Sequence, residues 1–215
     1  MASKRVLRET FRSRLRERDH AAGERETRAL NALLIDLLRS FDTDALKGYW
    51  AGYQALGYEP DISEAVRAME SESLTWVFPR LEEGRIVFYR PHGDEAFTIG
   101  DYGIREPDPK RSTRIAYDEL RGLLVPGLAF DLKCNRLGRG GGHYDRVLSS
   151  RTSGHTPIKI GVAFERQISP EDIPVEPFDI PMDWVVTEER VLRRSDAGRS
   201  AGLAGDSSPG GMSYE

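Results

Sequence analysis

Leu123 to Leu148 reads LLVPGLAFDLKCNRLGRGGGHYDRVL. Its apolar opening, stopped by Pro126-Gly127, has the pattern of a buried strand, and the segment after Gly142 has the pattern of a helix start. Between them lies a loop carrying Gly138, Gly140, Gly141 and Gly142, with Arg136 and Arg139 interspersed. Glycine adopts backbone conformations closed to other residues and lets main-chain N–H groups approach an anion closely. A helix that begins directly after such a loop aims its unpaired N–H groups and the positive end of its dipole at the same point. The stretch therefore reads as a phosphate cradle. It is neither the P-loop pattern, for no Gly-Lys-Ser/Thr closes it, nor the spaced G-x-G-x-x-G of dinucleotide folds. The reading rests on strand, glycines, arginines and the acidic Asp145 occurring together.

Working upstream, Leu123–Val125 begins this stretch, preceded by a polar excursion from Arg90 to Arg114 in which only short strands are expected. Arg85–Tyr89 and Leu74–Phe78 read as strands, the latter ended by Pro79. Asp61, with Glu64 three residues on, reads as a helix start. A strand is expected over Ala45–Trp50. Leu30, Leu33, Leu34, Leu37, Leu38 and Phe41 give Glu24–Phe41 a strong helical stripe that can only be core. Lys4 to about His20 is expected to be helical, with Lys4 and Arg8 four residues apart on one face, where two cations can clamp a phosphate. Downstream, Ile158–Phe164 and Trp184–Thr187 read as strands separated by a proline-rich segment. Strands alternating with helices predict a mainly parallel sheet covered on both faces, with ligands beyond the carboxyl ends of the strands.

The 215 residues suit one domain, expected over 1–194, and the Gly/Ser-rich tail 195–215 is expected to be disordered. A formal charge of -4 argues against a dedicated nucleic-acid binder. The lone Cys134 excludes an internal disulfide and reads as an unreactive thiol in a reducing compartment. His20, His92, His143 and His155 show no metal-ligand spacing. No apolar run approaches a membrane span and the charged N-terminus has no signal core, so a cytoplasmic protein without membrane contact is expected.

VPGLAFD, NRLGRGGGHYDRVL, GVAFERQ and PVEPFDIPMDWVVTEE together resemble the 5-formyltetrahydrofolate cyclo-ligase family, over roughly Lys4 to Leu192. The resemblance implies an α/β fold, a three-layer Rossmann-like sandwich with a mainly parallel central sheet. It implies an ATP- and magnesium-dependent reaction with a reduced folate. ATP phosphorylates the formyl oxygen of 5-formyltetrahydrofolate, N10 attacks the activated carbon, and phosphate leaves to give 5,10-methenyltetrahydrofolate. By the same resemblance, ATP contacts fall on Lys4, Arg5 and Arg8 and on Arg136, Gly138, Arg139, Gly140, Gly141, Gly142, His143 and Tyr144. Folate contacts fall on Glu59 and on Arg139 to His143, magnesium carboxylates on Asp145 and Asp179, and the catalytic pair on Arg139 and Asp145. A monomer or weak homodimer is expected.

Phosphoryl transfer is largely positioning and charge neutralisation, which loop amides, Arg139 and Lys4 can supply. A carboxylate beside phosphates makes sense with magnesium between them, though Asp145 also reads as a plain helix-dipole acid. Asp183 competes with Asp179 for the second carboxylate. His143 stands where the family usually has tyrosine or phenylalanine, and the 51–57 segment is longer than usual, which loosens the placement of Glu59. Trp50, Tyr53 and Tyr58 are candidates to stack on a pterin. Two other readings stand beside the enzyme: a turnover-deficient homologue holding folate or a polyanion, and an ATP-dependent enzyme acting on a non-folate formyl or amide compound.

Overall fold

The computed structural model describes residues 3–16, 20–72, 74–100, 103–150 and 154–195. The chain opens with α1 (Lys4–Arg16), α2 (His20–Arg39) and the short α3 (Thr43–Leu46), then β1 (Tyr49–Ala51) and α4 (Ser63–Ser71). β2 (Thr75–Glu82) and β3 (Arg85–Pro91) form one hairpin, β4 (Phe97–Ile99) and β5 (Arg105–Pro107) another, and β6 (Ser112–Ile115) leads to β7 (Leu120–Pro126). β8 (Ala129–Asp131), β9 (Arg136–Leu137) and α5 (His143–Leu148) follow, then β10 (Ile158–Val162), β11 (Ile168–Ser169), β12 (Trp184–Val186) and β13 (Val191–Arg193).

Eight strands make one sheet in the order β13-β12-β10-β7-β1-β2-β3-β6. The pairings from β12 to β2 are parallel, and those at both edges are antiparallel. The expected α/β fold with a mostly parallel central sheet is the fold observed. Alternation along the strands builds two cores. Leu124, Ile160 and Val186 meet the α2 stripe and α4, while Leu123, Val125 and Val185 meet Phe130, Met182 and the α5 residues Val147 and Leu148. The first face thus has a helical cover, and the second is covered by the six-residue α5, by Phe130 and Ile168 of a small sheet in the order β11-β8-β9, and by irregular chain.

In the first core, Trp50 is fully buried, pairs in register with Gly122, and leaves no room there for a side chain. A Cβ at Gly122 would lie 2.4 Å from the indole ring. α1 buries Phe11 against Ala129, Leu137 and Ile173, which lays the helix over β8 and β9, just past the carboxyl end of β7.

Several local expectations change. The strand expected over Ala45–Trp50 is shorter: Thr43–Leu46 is a helical turn, and Gly48, at a φ of 116°, makes the corner into β1. Pro79 does not end β2. Beyond Val77 that strand has only β3 as neighbour, an edge where a missing N–H costs nothing. Asp61 does not cap α4 in the expected manner. Its Oδ1 accepts from Ser63 N at 2.8 Å, and the cap on the helix comes from α2, where Asn31 Oδ1 accepts from Ala65 N at 2.9 Å. The first helix is described only to Arg16, residues 17–19 lie outside the described residues, and α2 already starts at His20. Of the tail, Ser195 alone is described, so its expected disorder lies outside the described residues.

Candidate functional site

A cleft of about 180 Å³ opens at the carboxyl ends of β1, β2 and β7, lined among others by Glu59, Arg136, Arg139, His143, Tyr144 and Asp145. Its floor is the glycine loop that follows β9. Gly140 and Gly142 hold φ values of 111° and 65°, a region that residues with a Cβ rarely enter. Among the described residues, the N–H groups of Arg139, Gly140, Gly141 and Gly142 donate to nothing in the chain. Arg139, Gly140 and Gly141 are exposed, so these amides are open to water or to a ligand. The sequence assigned part of the anion field to the helix after the loop, but α5 has only six residues, so the loop amides themselves supply most of it.

Arg139 of the loop and Arg136 of β9 are set by carboxylates. Arg139 Nη2 donates to Oε1 of Glu59, and its guanidinium lies 4.9 Å from the Tyr58 ring centroid. Glu59 is buried, and its Oε2 accepts from Leu56 N at 2.9 Å. Burial pushes the Glu59 carboxyl up, the Arg139 charge and the Leu56 amide pull it back, and the balance stays above the usual carboxylate range. Arg136 Nη2 donates to Asp145 Oδ1 at 2.6 Å, with the guanidinium 5.5 Å from the Tyr144 ring centroid. Burial, then the neighbouring Glu59 charge, pushes the Tyr144 phenol well up, so it stays protonated.

α1 reaches the loop from behind. Arg8 Nε donates to Gly138 O at 3.0 Å and Arg12 Nη2 to Arg139 O at 2.9 Å. Lys4 Nζ donates to Glu176 Oε2 at 2.7 Å and to Asp179 Oδ2. Burial lowers the Lys4 ammonium, but bonds from Asp179 and Glu176 outweigh it and hold it above its ordinary value. Arg5 points elsewhere: it pairs with Glu9 at 3.0 Å on the exposed side of α1, away from the cleft. His143 lines the cleft with Nδ1 3.0 Å from Gly84 O, and Arg146 Nη2 donates to the same carbonyl at 2.8 Å, which fastens the β2–β3 turn to α5.

The structure therefore brings Glu59, Arg136, Gly138, Arg139, Gly141, Gly142, His143, Tyr144 and Asp145 to one cleft, with Gly140 in the same loop. Asp179 is seated outside that lining with Lys4 and Glu176, its Oδ2 also accepting from Glu176 N at 2.6 Å. Asp183 accepts from Lys159 N at 2.8 Å and forms an ion pair with Lys159 Nζ at 2.8 Å, at the amino-terminal ends of β10 and β12. That is the opposite end of the sheet from the loop. Of the candidate stacking aromatics, Trp50 is core beneath Phe41, Tyr53 lines the cleft with its hydroxyl on Pro60 O at 2.8 Å, and Tyr58 carries Arg139. Cys134 is buried, and burial pushes its thiol up to about 11.

Asp145 lines the same cleft, and among the described residues hydrogen bonding engages only its Oδ1, which leaves Oδ2 as a hard oxygen. Among the described residues no group of three or more His, Cys, Asp or Glu could cage a metal. A cation here would need phosphate oxygens and water to complete its shell, which suits magnesium. Sequence reasoning missed Arg12, although the four-residue spacing of Lys4 and Arg8 continues to it. It also missed the cleft walls Leu81, Ile86, Ile104 and Glu106, which distant hairpins bring in without any local signal.

A mostly parallel α/β sheet with a glycine loop and a cleft at the carboxyl ends of its strands defines the class: an α/β protein whose cleft lies where ligands of such sheets gather. The model of the 5-formyltetrahydrofolate cyclo-ligase family matches residues 1–188, and the chain belongs to that family. The resemblance read from the motifs is thereby borne out. The chain is 38% identical over 109 residues to a probable 5-formyltetrahydrofolate cyclo-ligase of Schizosaccharomyces pombe, covering 46% of this chain and 53% of that one. To the 5-formyltetrahydrofolate cyclo-ligase of Escherichia coli it is 32% identical over 136 residues, covering 63% of this chain and 73% of that one. The solved 5,10-methenyltetrahydrofolate synthetase of Aquifex aeolicus superposes with a TM-score of 0.74 at 30% identity, over 92% of this chain and 95% of that one. The matched part spans about half the S. pombe relative. No helix among the described residues is long and apolar enough to cross a membrane.

Proposed function

We propose that the chain converts 5-formyltetrahydrofolate to 5,10-methenyltetrahydrofolate with ATP and magnesium, releasing ADP and phosphate. The observation that carries this reading is the set of four successive partnerless amides, Arg139 to Gly142, beside the buried carboxylate of Glu59. A pure anion site gains nothing from a buried carboxylate, whereas a site for a phosphate donor and a pterin needs both. The amides hold the phosphates, and Arg139 and Lys4 spread positive charge where negative charge gathers during transfer. Glu59 accepts hydrogen bonds from the pterin. The protonated phenol of Tyr144 and the His143 ring border the reacting formyl group.

Magnesium, held by Asp145 and phosphate oxygens, would neutralise charge on the transferred group. Asp179 joins that shell only by releasing Lys4, so its part is to orient the ammonium until nucleotide arrives. With the formyl oxygen phosphorylated, N10 attacks the carbon and phosphate departs with the oxygen. Purified protein given ATP, magnesium and 5-formyltetrahydrofolate is expected to develop the near-ultraviolet absorbance of the methenyl product. Folded, nucleotide-binding protein that forms none would refute the assignment.

A further inference from the structure

Lys4, Arg8 and Arg12 lie on one face of α1 at four-residue spacing, and each has a different partner. Arg8 and Arg12 hold consecutive carbonyls, those of Gly138 and Arg139. A trans peptide is planar, with its C=O and N–H on opposite sides. Capturing Gly138 O therefore turns the Arg139 amide away from α1, and capturing Arg139 O does the same for the Gly140 amide. Neither Arg8 nor Arg12 lines the cleft; each reaches from α1 to a loop carbonyl, and Gly140 sits between Arg139 and Gly141, which do line it. Two successive N–H groups facing one way make an anion-binding nest. Gly140, at a φ of 111°, has no side chain to resist the peptide orientation.

We propose that Arg12 is a positioning residue for nucleotide: it fixes the Arg139–Gly140 peptide so that the Gly140 amide faces the phosphates, without touching the ligand. The inference rests on the proposed nucleotide site and adds a device that aims it. An unfixed peptide would flip between orientations, and nucleotide would have to select the productive one, which weakens apparent affinity by the fraction lost.

The test is calorimetric titration of Mg·ADP and of 5-formyltetrahydrofolate into the full chain. Arg12→Ala removes a charge-assisted bond on an exposed side chain and is expected to weaken Mg·ADP binding roughly five- to tenfold. Folate affinity stays unchanged, as does the thermal midpoint to within about 2 °C. Arg12→Lys and Arg12→Gln, which keep a donor, restore part of the loss. Arg14→Ala takes the same charge from the same helix; its guanidinium lies 4.9 Å from the Phe11 ring centroid and not on the loop. It is expected to bind nucleotide within about twofold of wild type, since an exposed charge off the site contributes little.

Equal weakening by Arg14→Ala, or wild-type affinity in Arg12→Ala, overturns the proposal. So does an equal loss for folate together with a fallen midpoint. Wild-type protein that binds Mg·ADP but makes no methenyl product would sink the proposed activity and leave the peptide clamp standing. Wild-type protein that binds no nucleotide would sink both.

Discussion

Arg139, in the glycine loop, donates to the buried carboxylate of Glu59, a partner 80 positions earlier in the chain. The pair is lopsided: the Glu59 side chain is 5% exposed and that of Arg139 39%. Removing the carboxylate leaves a cation that water can still reach, whereas removing the cation leaves a buried charge.

Glu59→Gln is therefore expected to keep the fold and lose the substrate. Because burial raises the Glu59 carboxyl above its ordinary value, its contribution to stability is full below that value and declines as pH rises through the raised one. The variant should be least favoured in acid and should match or exceed the wild-type thermal midpoint at pH 8. Its kcat/KM for 5-formyltetrahydrofolate should fall at least about 100-fold, the scale set by an unmatched polar contact. A midpoint well below wild type at pH 8 would contradict the burial argument.

Asp145→Ala should cost both stability and magnesium dependence. It strips the carboxylate from Arg136, whose side chain is only 5% exposed and whose Nε is buried without a partner. Asp145 is itself 22% exposed, so a loss of roughly 1–3 kcal/mol is expected, below the range for fully buried pairs. Urea unfolding measures the first effect, and ADP titration with and without magnesium the second. Unchanged magnesium dependence in the variant would remove Asp145 from the metal's shell.

Gly122→Ala places a methyl 2.4 Å from the Trp50 ring, in the middle of the sheet where neither strand can retreat. A loss of roughly 3 kcal/mol is expected in denaturant titration. Adding Trp50→Leu, which opens space at the same contact, should return part of it, and strict additivity would show that the two positions do not collide.

Cys134 should resist thiol reagents in the folded protein. With its thiol pushed up to about 11, roughly one molecule in a thousand is thiolate at pH 8. The sign of the linkage is that of a raised acid: the contribution is intact below the ordinary thiol value and is lost as pH climbs toward 11. Disulfide-exchange labelling at pH 8 should proceed only at the rate of unfolding, and fast labelling of native protein would refute this.

Local pattern made much of the fold readable. The α2 stripe from Leu30 to Phe41, the apolar strands β7 and β10, and the stop at Pro126-Gly127 are periodicities a sheet or helix must show if one side is buried. Pro79 misled for the same reason in reverse: it ends strands in most surroundings, and here the lack of a second strand beside it decided otherwise. Asp61 marked the start of α4 correctly, but the amide of Ala65 is taken by Asn31 reaching over from α2.

The sequence by itself determined the α/β class, the glycine loop and its arginines, and the family motifs, because all of these are carried by residues close together in the chain. Only the tertiary structure decided the partners. It put Glu59 on Arg139, Arg12 on the carbonyl of Arg139, Asp179 on Lys4, and Asp183 at the far end of the sheet. Those outcomes depend on which strand ends lie side by side and which face of α1 meets the loop, and no local spacing encodes the packing that settles them.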